Sequence, residues 1–298
     1  MIYAYSDADA AAFAALLEAA PELPSTSEES FRSFAALSFN RGARDFRVLR
    51  EAGECRAVMT STLLDDGPRP LRHFRIVVHP AHRRRGLASA LMADLQTQHA
   101  PEGTLLQCNS QRTWPSGNGF LEHHGFAVAH TEVLMRRAAH VAKAQMAGVP
   151  VDVTLRPATL EDDRQWALLH HQAYGHREDF SELSADDLEA ERASPGFTLT
   201  VAEHLGEVVG YCHAMDLEAG EGLVNSLVVR TDMRRRGLGA ALLQEAIARL
   251  TAQGATRISL NVVSANRAAI ALYQKLGFAT YDEMLTYQRP AELATAAS

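Results

Sequence analysis

The sequence predicts an α/β fold, with helices against a mixed α+β sheet, built twice in tandem. Two observations carry this. Strand-period and helix-period runs alternate through the chain, and a strand–turn–helix segment occurs twice. Ile76–Met92 (IVVHPAHRRRGLASALM) returns as Leu227–Leu243 (LVVRTDMRRRGLGAALL). His124-Gly125-Phe126 then returns as Leu276-Gly277-Phe278, in the same order and at nearly the same offset. Such self-similarity points to a duplicated domain. The expected domains are 1–140 and 152–298, joined near Arg137 to Asp152, where Gly148 and Pro150 punctuate the chain.

In the second half, Val153–Arg156 reads as a first strand and Leu160–Tyr174 as a helix. Phe197–Ala202 and Val208–His213 are strand-like runs about the turn Leu205-Gly206-Glu207, and Val224–Val229 is a further strand. Gly237–Ala252 is a helix, with apolar Leu242, Leu243, Ala246, Ile247 and Leu250 on one face and Gly254 as its stop. Ile258, Leu260 and Val262 alternate with Ser259 and Asn261, as in a half-buried strand. Arg267–Leu276 is a second helix ended by Gly277, and Leu285–Gln288 a closing strand.

The bulk properties narrow the function. The 298 residues are 47% hydrophobic and 22% charged, which suits a core-forming globular protein. A net charge of -7 argues against a general nucleic-acid binder. Three scattered cysteines, Cys55, Cys108 and Cys212, have neither zinc nor disulfide-framework spacing and fit a reducing cytoplasm. Asp7 and Asp9 precede the apolar run Ala10–Leu17, where a signal peptide would be basic. No stretch is apolar for long enough to suggest a membrane span. Adjacent histidines, His123-His124 and His170-His171, lack metal-ligand spacing, so no metal is expected.

The sharpest motif is a strand, an arginine-rich turn, and a Gly-x-Gly that opens a helix: Arg234, Arg235, Arg236, Gly237, Leu238, Gly239. A helix start exposes unpaired N–H groups and a partial positive charge, so it binds phosphates. Glycine lets the backbone approach closely. Arginines add charge-assisted hydrogen bonds. The device suits a pyrophosphate. The dinucleotide fingerprint needs a third glycine, and the triphosphate loop needs Gly-Lys-Ser/Thr; both are absent.

On these residues the sequence resembles the GNAT superfamily of acyl-CoA-dependent N-acetyltransferases, whose signature Arg/Gln-x-x-Gly-x-Gly/Ala follows a strand. It stands here as Arg234-x-x-Gly237-x-Gly239 and Arg83-x-x-Gly86-x-Ala88, and the family's later Asn, Tyr and Gly-Phe as Asn266, Tyr273 and Gly277-Phe278. The resemblance covers nearly all of the second half and the first half more loosely. It implies two GNAT-like domains and acetyl-CoA as co-substrate. The main chain of Leu227, Val228 and Val229 would pair with the pantetheine arm, and the turn would cradle the pyrophosphate. Asn261 and Asn266 would border the arm, between strands that splay apart. Val77, Val78, Arg83, Arg84, Arg85, Gly86, Leu87 and Ala88 would form the matching cup of the first half.

The reaction so implied is direct attack of a primary amine on the acetyl thioester in a ternary complex, with Tyr273 as general acid for the departing sulfur. Asn266 reads equally as a helix N-cap and Tyr273 as a core aromatic. The family's usual strand glutamate falls at Asn225, which is no base. Glu218 and Glu221, just upstream, are the candidates that remain, with His213 behind them. Leu121 and Trp114 occupy the first-half places of Tyr273 and Asn266. That copy should therefore bind acyl-CoA weakly or serve as a structural partner, a paired layout known in the family. The expected acceptor is a small-molecule or peptide amine, and the run Tyr174–Phe197 where it would dock names no substrate. A non-catalytic acetyl-CoA binder or sensor is the competing reading, on the strength of the absent strand glutamate.

Overall fold

The local signals become elements in chain order. In a computed structural model, the residues described are 1–20, 26–36, 40, 43–64, 69–98, 100–140, 148–177, 180, 182–194, 196–217 and 220–291. The first half forms β1 (Ile2–Ala4), α1 (Ala10–Glu18), α2 (Glu28–Ala36), β2 (Arg47–Glu51), β3 (Glu54–Leu64), β4 (Leu71–Val78), α3 (Leu87–Thr97), β5 (Leu105–Gln111), α4 (Pro115–His123) and β6 (Ala127–Ala138). The second half forms β7 (Val153–Pro157), α5 (Asp163–Tyr174), α6 (Ala185–Ala193), β8 (Phe197–His204), β9 (Glu207–Leu217), β10 (Glu221–Val229), α7 (Leu238–Ala252), β11 (Arg257–Val263), α8 (Arg267–Lys275) and β12 (Ala279–Pro290).

The expected second-half elements are present. Several strands extend further than the pattern showed: β9 runs on to Leu217, β10 starts at Glu221, and β12 spans twelve residues around Leu285–Gln288. The helix α6 lies within the run Tyr174–Phe197, which is rich in Asp and Glu. Ser184 starts it by accepting from the Asp187 N–H, and the Asp187 carboxylate returns to the Ser184 N–H at 3.0 Å. Leu188 is its buried residue, so the acidic side chains around it are largely a solvated face.

The chain gathers into two compact units. One holds residues 1–110, 114–129 and 286–291, the other 111–113 and 130–285. Each unit therefore takes a strand segment from the other half of the sequence. In the first unit the strand order is β1-β2-β3-β4-β5, followed by the end of β12. There Gln288 Nε2 donates to Gln107 Oε1 at 2.8 Å, and the Ala291 N–H to the Thr104 carbonyl at 2.8 Å. The aromatic rings of Phe13, Phe31 and Phe46, with Tyr5 against their edges, fill its helical side.

In the second unit the order is the start of β12, then β6-β11-β10-β9-β8-β7. β10 and β11 are parallel, while β6–β11, β9–β10, β8–β9 and β7–β8 are antiparallel, so the sheet is mixed. Successive strand residues point to opposite faces. Ala202 and Cys212 pack with Leu242, Leu243, Ala246 and Leu250 of α7, whereas Val201 and Tyr211 pack with Trp166 and Leu169 of α5. Each fully buried leucine contributes roughly 1.5–3 kcal/mol. Arg137 of β6 donates to the carbonyls of Leu276 and Ala138, the first of which ends α8. No described helix is long and apolar enough to cross a membrane.

Candidate active site

The arginine-rich turn folds as its glycine pattern requires. β10 stops at Val229, and a single turn over Thr231–Met233 reverses the chain. Arg234 Nε then donates back to the Val229 carbonyl at 2.9 Å, which fixes the turn to the strand end. Arg235 and Gly237 are both left-handed, with φ of 62° and 83°. Left-handed residues on either side of Arg236 turn neighbouring N–H groups inward, as in an anion-binding nest. Gly237 caps α7 with no side-chain cap. The Ala241 N–H donates to the Gly237 carbonyl at 3.1 Å. The N–H groups ahead of it, those of Leu238, Gly239 and Ala240, have no helical partner.

Beside this helix start the parallel strands part. β10 and β11 are in register from Glu221↔Arg257 to Leu223↔Ser259. Beyond Leu223, β10 pairs with β9 alone, with a bulge between Val224 and Ser226. The main chain of Leu227, Val228 and Val229 is thereby free along its β11 edge. A cavity of about 820 Å³ fills the opening. Leu227, Val228, Val229, Arg234, Arg235, Gly237, Leu238 and Gly239 line it, together with Asn261, Asn266 and Tyr273. Arg236 is not part of its wall.

Asn266 Oδ1 accepts from the Ala269 N–H at 3.2 Å, so it caps α8 while bordering the cavity. Tyr273 packs into the core on the same helix and still reaches the cavity wall. Burial pushes its phenol well above the usual tyrosine range, with the nearby Tyr174 and Cys212 adding to the effect. A phenol so placed keeps its proton.

The carboxylates expected to serve as base are not brought together here. Glu218 lies outside the described residues. Glu221 sits at the far, paired end of β10, where its carboxylate is bound by Arg257 across the parallel register, and it is not on the cavity wall. The proposal of Glu221 as base is thus corrected by the position of the splay. Asn225 does line the cavity, and its amide lies 3.1 Å from His213 Nδ1. His213 is itself buried under Trp166 and Phe197, which pushes its pKa down to about 4, and it does not reach the cavity.

Polar and aromatic residues outside the motif also reach it: Glu132, His170, Tyr174, Arg177 and Phe180, the last three within the run Tyr174–Phe197 expected to face the acceptor. The last four follow one another at the end of α5, where an aromatic triplet, His170 against Tyr174 and Phe180, forms a wall. His170 Nδ1 lies 2.9 Å from the Tyr211 hydroxyl, and burial pushes its pKa down to about 4. Glu132 comes from β6, paired with β11 at Val263. It is the one carboxylate among the described residues of the cavity wall. Asn261 Nδ2 donates to its Oε2 at 2.5 Å, and Arg177 stands 3.6 Å from Oε1.

The first unit carries the matching turn. Arg83 Nε donates to the Val78 carbonyl at 3.2 Å, Arg84 and Gly86 are left-handed at φ 63° and 79°, and α3 starts at Leu87 without a side-chain cap. β4 and β5 are in parallel register only from Leu71↔Leu105 to His73↔Gln107. Val77 and Leu87 are core residues, Ala88 follows in the first turn of α3, and Arg85 is engaged by Glu51 and His82.

The class follows when this geometry, a mixed sheet that opens beside an uncapped helix start, is set beside known proteins: the matches are to N-acetyltransferases. The acetyltransferase (GNAT) family matches residues 161–278, and an acetyltransferase (GNAT) domain matches residues 44–128. A mycothiol acetyltransferase of Streptomyces avermitilis is 31% identical over 96% of this chain and 93% of its own length. Another from Streptomyces coelicolor is 30% identical over 72% of this chain and 70% of its own. Among solved structures, a tandem GNAT protein from the clavulanic acid biosynthesis pathway superposes with a TM-score of 0.78. It covers 98% of this chain and 99% of its own at 18% identity, which speaks to the fold. The chain belongs to the GNAT acetyltransferase family and carries two GNAT domains.

Proposed function

We propose that the chain moves an acetyl group from acetyl-CoA to the primary amine of a small molecule by direct attack, and that the cavity of the second unit does the chemistry. The carrying observation is that one cavity joins the uncapped start of α7, the unpaired edge of β10 and the Tyr273 phenol. The donor fits these residues. Helix N–H groups and Arg234 and Arg235 would hold the diphosphate, and the free main chain of Leu227–Val229 would pair with the amides of the arm. Acetyl-CoA supplies an activated thioester. The chain's own residues align it, shield it from water and deliver the Tyr273 proton to the departing sulfur.

The relatives are named for acetylating mycothiol, which supports a small-molecule amine of that kind as acceptor. The first unit, with Leu121 and Trp114 in place of Tyr273 and Asn266, is then a weak binder or a structural partner. The free thiols of Cys55, Cys108 and Cys212 are in keeping with a reducing cytoplasm.

Titration calorimetry with acetyl-CoA, paired with release of free coenzyme A against an amine panel, tests the reading. Binding together with amine-dependent release is expected. Binding without release under any amine would favour a non-catalytic sensor and overturn it.

A further inference from the structure

Acetyl transfer leaves one chemical role unfilled in this cavity, that of a group to receive an ammonium and accept a proton. Asn225 stands where the resemblance placed a carboxylate, and an amide takes no proton. His170 is the one imidazole among the described residues of the wall. It is held neutral by burial, and a neutral ring offers a cation no Coulomb attraction. We propose that Glu132 is the carboxylate that receives the acceptor's ammonium group and takes its proton as the amine attacks.

Three observations converge on it. Glu132 is the one carboxylate on the described wall, in the same cavity as Tyr273. Its side chain is 14% exposed, low enough to strengthen an ion pair yet open to a ligand. Asn261, from the neighbouring strand β11, donates to Oε2 at 2.5 Å and so fixes the carboxylate's orientation. That hydrogen bond leaves lone pairs on both oxygens. Arg177 stands 3.6 Å from Oε1, beyond hydrogen-bond distance, and so approaches the carboxylate without closing it off.

The proposal rests on the acetyl-transfer reading and deepens it. An ammonium docks on Glu132 and gives it one proton, which passes on to water. The freed nitrogen lone pair forms the C–N bond at the acyl-CoA carbonyl carbon. The C–S bond breaks with its electrons on sulfur, and the sulfur takes the Tyr273 proton. Loss of the second amine proton restores Tyr273 through solvent, so one proton is released per amide formed. Since β6 belongs to the first half of the sequence, that half supplies a catalytic residue to the second half's chemistry. Duplication is then a requirement of the mechanism.

The test compares wild type with Glu132→Gln, using deacetylated mycothiol and hydroxylamine as acceptors. The first arrives as an ammonium; the second is already neutral near neutral pH. In Glu132→Gln, acetyl-CoA affinity by calorimetry should be unchanged. The kcat/KM for deacetylated mycothiol should fall by about 10²-fold or more, with a much smaller loss for hydroxylamine. Glu132→Asp should recover part of the lost rate. Equal losses with both acceptors, or no loss with either, would sink the assignment of Glu132 while leaving acetyl transfer intact. A wild-type protein that binds acetyl-CoA and acetylates neither acceptor would instead bring down the underlying reading, and this claim with it.

Discussion

Arg156 grips Asp162 at two points, Nη1 to Oδ2 at 2.7 Å and Nη2 to Oδ1 at 2.8 Å. The same carboxylate accepts the Thr159 N–H at 2.7 Å, so one ion pair ties β7 to the start of α5. The first unit repeats the device. Arg50 binds Asp9 at 2.6 Å, and Asp9 accepts the Ser6 N–H at 2.9 Å. Arg156, foremost, holds the Asp162 carboxyl down to about 2, with the Thr159 N–H and hydroxyl helping against the opposing cost of burial. The folded value lies below the unfolded one. Its stabilisation is therefore full above about pH 4 and is lost as pH falls from there through about 2. Asp162→Asn should cost about 1–3 kcal/mol at neutral pH by denaturant titration. The gap from wild type should close across that acid window; a gap constant with pH would refute the ion-pair account.

Tyr273→Phe should slow turnover by about 10²–10⁴-fold with acetyl-CoA affinity retained. The phenol is pushed up by burial, so its acid form persists through the neutral range. The wild-type rate should therefore show no alkaline fall attributable to this group below about pH 10. Turnover unaltered in the phenylalanine variant would remove Tyr273 from the mechanism.

Gly237→Val should abolish acetyl-CoA binding in the second unit, measured by calorimetry. At φ 83° a β-branched residue is strained, by about 1–2 kcal/mol or more, and its side chain would crowd the N–H groups it must leave open. Gly86 has φ 79° in the equivalent place. If the chemistry is confined to the second unit, Gly86→Val should leave turnover close to wild type. Loss of turnover from Gly86→Val alone would assign the first cup a part in the reaction.

Leu242 of α7 is fully buried, and its Cδ1 lies close to the backbone at Gly210. Leu242→Ala should cost about 2–5 kcal/mol by loss of transfer energy and creation of a cavity. Thermal unfolding should register this as a clear drop in Tm, and an unshifted Tm would show that α7 is not anchored there.

Much of this site could be read directly because its parts are contiguous. Arg234 to Gly239 encode a turn and a helix start in six residues, with Gly237 where only a left-handed residue fits. Asn266 caps one short helix, Tyr273 lies on it and Gly277 follows its end, at spacings the helix period interprets. The strand–helix alternation of the second half is local for the same reason. The duplication was legible because each copy keeps its own turn.

The sequence could not place Glu221 away from the cavity because a carboxylate's surroundings depend on pairing between distant residues. Upstream position on β10 made Glu221 a candidate, but the strand is still in register with β11 there, and Arg257 takes the carboxylate. Glu132 lies on the last strand of the first half, in a run with no motif. Only the pairing of β6 with β11 brings it beside Asn261. Arg177 and Phe180 likewise reach the cavity through the packing of α5.

The sequence by itself determined the arginine-rich turn and its helix start, the helix that carries Tyr273 and the fact of two copies, since each is written in local periodicity and backbone preference. The tertiary structure alone decided which strands complete each unit and therefore which carboxylate lines the second unit's cavity. A strand's edge hydrogen bonds are satisfied by whichever partner the whole chain brings alongside, and no local pattern specifies that partner.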